Sequence, residues 1–282
     1  MTDPGAIDIR PLRTIEEYAQ AEEVQILVWQ MGGEREIVPK TIMLPISKTG
    51  GLVMGAFDGE QMIGICIGLL ARTAEGRVYH WSHITGVVDK GRGLGERIKW
   101  AQREAVLAMG LDLIRWTTDP LEGMNASLNF GKLGVTCCTY TRNHYGEIRD
   151  GLNTGIESDR FTVDWHIDSE RVKSRLAEGK PQLSAQALSD EGAESANPTE
   201  IAVEGIRRIH ETKLDLASPR VLIETPASYQ AIKVHDLTLA ISWRMQTRAL
   251  FEAYFGKDYV AKEFISEFWD GERRSFFLLE RA

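Results

Sequence analysis

The stretch GVVDKGRGLGERIKWAQRE, residues 86–104, limits what this chain can fold into more than any other segment. Gly91, Gly93 and Gly95 stand at alternate positions between an apolar, strand-like run and a helix-like run rich in Lys and Arg. A strand, a glycine loop and a helix in that order aim unpaired backbone N–H groups of a helix N-terminus at an anion. The helix dipole adds to the attraction, and glycine lets the backbone come close. Spacing separates the familiar versions. The nucleotide-hydrolase pattern Gly-x-x-x-x-Gly-Lys-Ser/Thr is absent. The dinucleotide pattern Gly-x-Gly-x-x-Gly fails too, because its third glycine would fall on Glu96 or Ile98.

The elements around the loop are legible. IDIRPL reads as a first strand, and TIEEYAQAEEVQILVWQ as a helix whose Thr14 cap is answered by Glu17 three residues on. GGLVMGAF, the turn DGEQ and MIGICIGLLAR form a hairpin with Asp58-Gly59 in the turn, and TAEG leads into RVYHWSHITGVV, a third β-rich run. Helical spacing from Leu94 stops at Gly110, LDLIRWTT is a short strand, and DPLEGMNASLNFGKLG is a helix feeding the strand VTCCTY. The order is βα, three strands, α, β, α, β. Gln182 to Thr199 is rich in Ser, Ala, Gly and acid and reads as a linker or mobile loop. Beyond it, PRVLIETP resembles a strand, DLTLAISWRMQTRALFEAYFG is an amphipathic helix, and DYVAKEFI with RRSFFLLER closes the chain as a hairpin pair. The expected division is a first domain over 1–168, a linker over 169–199 and a smaller α+β region over 200–282.

Composition sets the class. The 282 residues, 26% charged and 43% hydrophobic, are those of a globular protein, with no apolar run of membrane-spanning length. The N-terminal MTDPGAIDIRPL lacks the basic and apolar regions of a secretion signal, so the expectation is a cytoplasmic protein with no membrane partner. A net charge of −8 argues against nucleic acid, which wants a basic face. Any polyanion must be bound locally. Cys66, Cys137 and Cys138 lack metal-ligand spacing and read as reduced core residues, and no metal is expected.

The remaining pattern, Lys90-x-x-Gly93-x-Gly95, resembles the coenzyme A loop of the GNAT acyltransferases, Arg/Gln-x-x-Gly-x-Gly/Ala. The element order is similar to theirs as well, and NASLNFGKLGV looks like their later helix–strand segment; the resemblance covers residues 7–145 or so. It implies an α+β GNAT fold, a mixed and mostly antiparallel central sheet with flanking helices, plus the smaller C-terminal region. It also implies acetyl-CoA or another acyl-CoA as cosubstrate. Backbone N–H groups from Arg92 through Leu94 and Gly95 to Glu96 would wrap the pyrophosphate, with Val87, Val88, Lys90, Gly93, Arg97, Asn125 and Asn129 completing the coenzyme site. Arg97, Lys99 and Arg103 join Lys90 and Arg92 as a locally basic stretch in an acidic chain. The pantetheine would pair with the free edge of the fourth strand, about Ile84 to Val88, like an added strand.

The implied reaction is direct transfer of an acyl group from a thioester to an amine, which needs a base, donors for the carbonyl oxygen and, often, an acid for the thiolate. Many GNAT enzymes supply that acid from a Tyr four residues before the glycine matched here by Gly134. This chain has Phe130 there, which carries no proton. Tyr140 and Tyr145 are the alternatives, or the thiolate leaves unassisted. His83 is the candidate base, with a structural histidine in a β run as the alternative. Asp119 and Glu122 would face the cleft, although Asp119 before Pro120 is most simply a helix cap. The loop from Val87 to Gly93 is about two residues shorter than the usual pattern, which leaves Asp89 without an assignable role.

WTTDPLEGMNASLNFGKLG followed by YTRNHYGEIRDGLNTGIESDRFTVDW resembles, more narrowly, a two-domain GNAT subgroup, some of whose members are associated with N-acyl amino acid metabolism. That implies a small-molecule amine acceptor, amino acid-like, with Asn143, Asn153 and Arg160 on the acceptor side. Arg160 can take a carboxylate bidentately, or else pair with Asp159 or Glu157. Arg244 and Arg248, at i, i+4 on the long helix, read as a solvated face, with a ligand clamp as the alternative. Two rival functions stay open, a GNAT-fold coenzyme A sensor without turnover and a protein lysine acetylase. A homodimer is compatible with all of these readings.

Overall fold

The computed structural model describes residues 7–29, 37–89, 93–146, 156–203, 206–269 and 271–282. The chain divides into two compact units, one of residues 1–116 with 166–168 and one of residues 117–165 with 169–282. The division falls well before the boundary expected at 168.

The first unit runs β1 (Asp8–Pro11), α1 (Ile15–Trp29), α2 (Lys40–Lys48), β2 (Leu52–Asp58), β3 (Gln61–Arg72), β4 (Val78–Val87), α3 (Leu94–Ala108) and β5 (Leu113–Thr118), whose last two residues belong to the second unit. The capping box forms as the sequence implies: Glu17 N–H donates to Thr14 Oγ1 at 3.3 Å and Thr14 N–H to Glu17 Oε2 at 3.4 Å. β1, β2, β3 and β4 pair antiparallel in that order, with Gly59 at φ 61° in the β2–β3 turn. β5 lies parallel beside β4. A Cβ on Gly86 would meet Trp29 and Val28 of α1, and one on Gly64, paired beside Val87, would meet Ile98 of α3. The sheet therefore carries α1 on one face and α3 on the other. Leu12, Tyr18, Val24, Met43, Val53, Phe57, Ile65 and Ile67 fill the core beneath α1 and α2. α2, with Pro45 inside it, has no counterpart in the pattern read from the sequence.

The second unit begins with α4 (Gly123–Ala126), which continues as a π-helical segment (Ser127–Leu133) and stops on Gly134 in the left-handed conformation at φ 74°. Then follow β6 (Thr136–Thr141), β7 (Arg160–His166), α5 (Glu170–Glu178), α6 (Ala185–Asp190), β8 (Glu194–Ser195), β9 (Thr199–Val203), β10 (Ile206–Ile209), β11 (Arg220–Thr225), α7 (Tyr229–His235), α8 (Leu237–Phe255), β12 (Tyr259–Trp269) and β13 (Glu272–Arg281). Its strands run β7-β6-β12-β13-β11-β8, and β9 and β10 form a separate hairpin. Phe130, Phe161, Phe251, Phe264 and Phe277 interlock edge-to-face as its core. Residues 182–199, read as a linker or mobile loop, carry α6, capped by Ser184, and β8. Cys66 and Cys137 are buried as expected, whereas Cys138 is exposed, in the stretch where the β6–β7 register shifts. The protein is thus an α+β fold with a mostly antiparallel sheet. Among the described residues no helix is long and apolar enough to cross a membrane, and no cluster of ligand-type side chains could hold a metal ion.

Candidate functional site

In the first unit three features meet on β4. The ladder to β5 pairs only His80 with Ile114 and Trp81 with Arg115, so beyond Trp81 the β4 edge has no strand partner on that side among the described residues. One residue further on, the β3–β4 register shifts: Gly68 faces Ser82 and Ile67 faces Ile84, which leaves His83 as the extra residue of a β-bulge. Bulges re-aim side chains and recur beside active sites. Finally, β4 leads into α3, which starts at Gly93 with φ 69° and no side-chain cap. Gly93 thus offers no side chain to the helix's first-turn N–H groups. Lys90 and Arg92 lie outside the described residues.

Gly95 sits inside the first turn of α3, where glycine costs helix stability. A Cβ there would meet no protein atom within 4 Å, so internal packing does not require glycine. Val87 is half-buried, and Val88 N–H donates to Ile63 O at 2.9 Å. Leu94, the first residue of α3, is buried, Glu96 is half-buried, and Arg97 reaches Ile7 O at 3.2 Å. Lys99 and Arg103, counted in the sequence as part of the basic stretch, instead turn inward. Their positions fall on the apolar stripe of the helix, and both are buried. Arg103 donates to Ile167 O at 2.6 Å and to Glu104.

His83 is exposed, and partial desolvation lowers its pKa, so its imidazole is neutral near pH 7 and can accept a proton. His80, two residues back, is fully buried. Burial, with the charge of Lys99 added, pushes it down to about 4. Lys99 Nζ donates to Ser82 Oγ at 2.9 Å and to Gln102 Oε1 at 3.0 Å, which fixes the Gln102 amide so that its nitrogen faces His80 Nε2 at 3.1 Å. Neutral His80 therefore carries its proton on Nδ1, an atom with no partner.

The second unit gathers most of the other expected site residues into ion pairs. Asp119 accepts from Leu121 N–H at 2.9 Å within a turn and not as the helix cap its place before Pro120 implied, because α4 starts only at Gly123, with Glu122 in the cap position. It also accepts from Arg244 at 2.9 and 2.6 Å and from Arg160 at 3.4 Å. Burial opposes ionisation, but the charges of Arg244 and then Arg160 hold its carboxyl below the ordinary value. Glu122 accepts from Gln230 at 2.6 Å, and burial followed by the charge of Asp119 raises its carboxyl. Tyr140 donates to Asp159 at 2.7 Å, and burial raises its phenol strongly, so it is a fixed hydrogen-bond donor. Asp159 is further held by Arg248 through two bonds of 2.8 Å and by Asn143 N–H at 2.9 Å, while Glu157 pairs with Arg248. Tyr145 is exposed, with its hydroxyl 2.9 Å from Thr117 Oγ1. Asn143, at φ 43°, accepts from Ser158 N–H at 3.3 Å. Arg160 bonds the Asp159 carbonyl at 2.8 Å and lies over the Tyr145 ring at 5.2 Å. Asn125 is exposed, and buried Asn129 donates to Thr118 Oγ1 at 3.3 Å. Asn153 lies outside the described residues.

The reading of Arg244 and Arg248 as a solvated face is overturned: both are buried and paired with carboxylates. The i, i+4 spacing pointed to a shared face, but the partners, Asp119 and Asp159, stand 125 and 89 residues earlier, beyond the reach of local pattern. Lys99 was counted in the solvated basic stretch because a lysine on a mixed helix face looks solvated, whereas it is buried.

No family model matches the chain, and no curated protein matches it. Among solved structures it is similar to YncA, an acetyltransferase from Salmonella typhimurium bound to acetyl-CoA, at 15% identity over 58% of this chain and 96% of that one, with a TM-score of 0.46. It is likewise similar to aminoglycoside 6′-acetyltransferase type Ii, at 15% identity over 58% and 99% with a TM-score of 0.45. The ribosomal-protein-S18-alanine N-acetyltransferase of Escherichia coli shares 14% identity over 58% and 96%, with a TM-score of 0.45.

Proposed function

We propose that the protein is an acyl-CoA-dependent N-acyltransferase of the GNAT type that acylates the amine of a small, carboxylate-bearing molecule. The observation that carries this reading is the course of β4. Its edge loses its strand partner after Trp81, bulges at His83 and ends on a helix that starts with glycine and lacks a side-chain cap. A free strand edge suits the amides of an extended pantetheine, and an uncapped helix N-terminus suits its pyrophosphate. The packing-independent glycine at Gly95 supports close approach of a ligand there.

In this reading the thioester lies against β4 near the bulge, where backbone N–H groups beyond Trp81 hold the carbonyl oxygen as it gains charge. The neutral amine attacks the carbonyl carbon, His83 accepts the proton the amine loses, and the C–S bond breaks as the amide forms. Within the second unit, Arg160, whose carboxylate contact among the described residues is the 3.4 Å one to Asp119, is the candidate for holding a carboxylate. Phe130 is fully buried among Phe161 and Phe277, so it serves as core and not as the acid for the thiolate.

The test is free-thiol release from acetyl-, succinyl- and longer acyl-CoAs with pools of amino acids and simple amines, and with Arg92→Glu as the loop control. Acceptor-dependent release that the variant loses is the expected result. Coenzyme A binding without release for any pool would instead make the protein a sensor, the reading Phe130 favours.

A further inference from the structure

Lys99 is a buried cation. It is 4% exposed, and among the described residues no carboxylate pairs with it. The groups facing it are Ser82 and His80 from β4, Cys66 from β3, Gln102 from its own helix and the Trp116 ring of β5, 3.8 Å from Nζ. Two of these are neutral dipoles, one is a π face, one is a histidine kept neutral by burial, and one is a thiol that burial keeps protonated. A buried ammonium in such surroundings is costly unless something anionic joins it. Its bond to Ser82 sets it where the β4–β5 ladder stops and the bulge begins.

We propose that the Lys99 ammonium stabilises the coenzyme A thiolate as it leaves, supplying the charge compensation that Phe130 cannot. The inference rests on the acyl-transfer reading, which puts the thioester against β4 beside the bulge. The C–S electron pair goes to sulfur, the ammonium keeps its proton throughout, and the thiolate takes one from water on release. Burial lowers Lys99 to about 8, with Cys66 opposing, so the charge is present at neutral pH and lost above it. Phosphate needs no such group, and neither does the carbonyl oxygen, which the strand amides serve.

The experiment follows the ultraviolet absorbance of the thiolate of coenzyme A bound to the full-length protein across pH, in the wild type, Lys99→Met and Lys99→Arg. The expected result is that the bound thiol ionises at least about one pH unit lower, a tenfold shift, in the wild type and Lys99→Arg than in Lys99→Met. Dissociation constants for coenzyme A should stay within about twofold at a pH where the thiol is protonated. In turnover, Lys99→Met should lower kcat about 10²-fold with little change in KM, as loss of one transition-state donor does. The alkaline fall of kcat near pH 8 should vanish in Lys99→Arg. Equal thiol ionisation in all three proteins overturns the inference. Because that measurement needs only binding, a wild type that ionises the bound thiol but transfers no acyl group breaks the transfer reading alone.

Discussion

Lys99 in the first unit is buried unlike the arginines of the second. The second surrounds its guanidiniums with carboxylates: Arg244 with Asp119, and Arg248 with Asp159 and Glu157. The first buries Lys99 among neutral groups. A buried pair is costly to break because one partner is left as an uncompensated charge, whereas a lone buried cation is costly to keep. The former arrangement reads as structure, the latter as a charge kept ready for a ligand. Asp119 and Tyr140, expected to do chemistry, are held so fully that their part in the proposed reaction is to fix the shape of the unit around Arg160.

That contrast can be broken most sharply at Asp159. Removing its carboxylate in Asp159→Ala strips Arg248 of two bonds and leaves Tyr140 Oη and Asn143 N–H without their acceptor. The expected loss is about 3–5 kcal/mol of stability in urea unfolding. A loss below about 1 kcal/mol would mean that the pair is not structural.

Lys99→Met should move stability the other way. Methionine fills much of the same volume over Trp116 and removes the unpaired charge. The variant should gain about 1–3 kcal/mol at pH 7 while losing the function argued for the ammonium. Destabilisation would instead assign Lys99 the role that Arg248 plays in the second unit.

The same lysine sets a pH dependence. Its folded-state pKa, about 8, is depressed from 10.5, so between these values the unfolded chain binds more protons and wild-type stability rises with pH. The rise amounts to roughly 3 kcal/mol at most. It is complete above about pH 10.5 and lost as pH falls through about 8. Lys99→Met should be flat over that window. At the acid end His80, depressed to about 4, should cost both proteins stability as pH falls from 6.5.

How much of this was legible depended on the range of the signal. The Thr14–Glu17 box, the Asp58-Gly59 turn and the closing hairpin β12–β13 are written in adjacent residues, and the structure follows them. Helical spacing placed α8 but not what its arginines touch, because a helix face that meets carboxylates more than 80 residues away looks like one that meets water. α2 was hidden by Pro45, whose missing N–H weakens any helical pattern, and α7 by its short length. The β4 bulge has no sequence mark at all. It exists only as a register offset against β3, with His83 as the extra residue. The glycine loop reads in the sequence as an anion site, with residues 90–92 outside the described residues, and Lys99, four residues past Gly95, passed for part of it although it turns inward.

The smallest expected effect separates ligand from fold at that loop. In Gly95→Ala the added methyl meets no protein atom within 4 Å, and alanine favours the helix. Stability should rise by a few tenths to about 1 kcal/mol, read from the unfolding midpoint. If the glycine is there so that a pyrophosphate can approach the first-turn amides, the same variant should bind coenzyme A more weakly by calorimetry. A gain in stability with unchanged affinity would remove close approach from the argument and leave the free edge of β4 to hold the coenzyme. Weaker binding together with a stabilised fold is the pairing that internal packing alone does not produce.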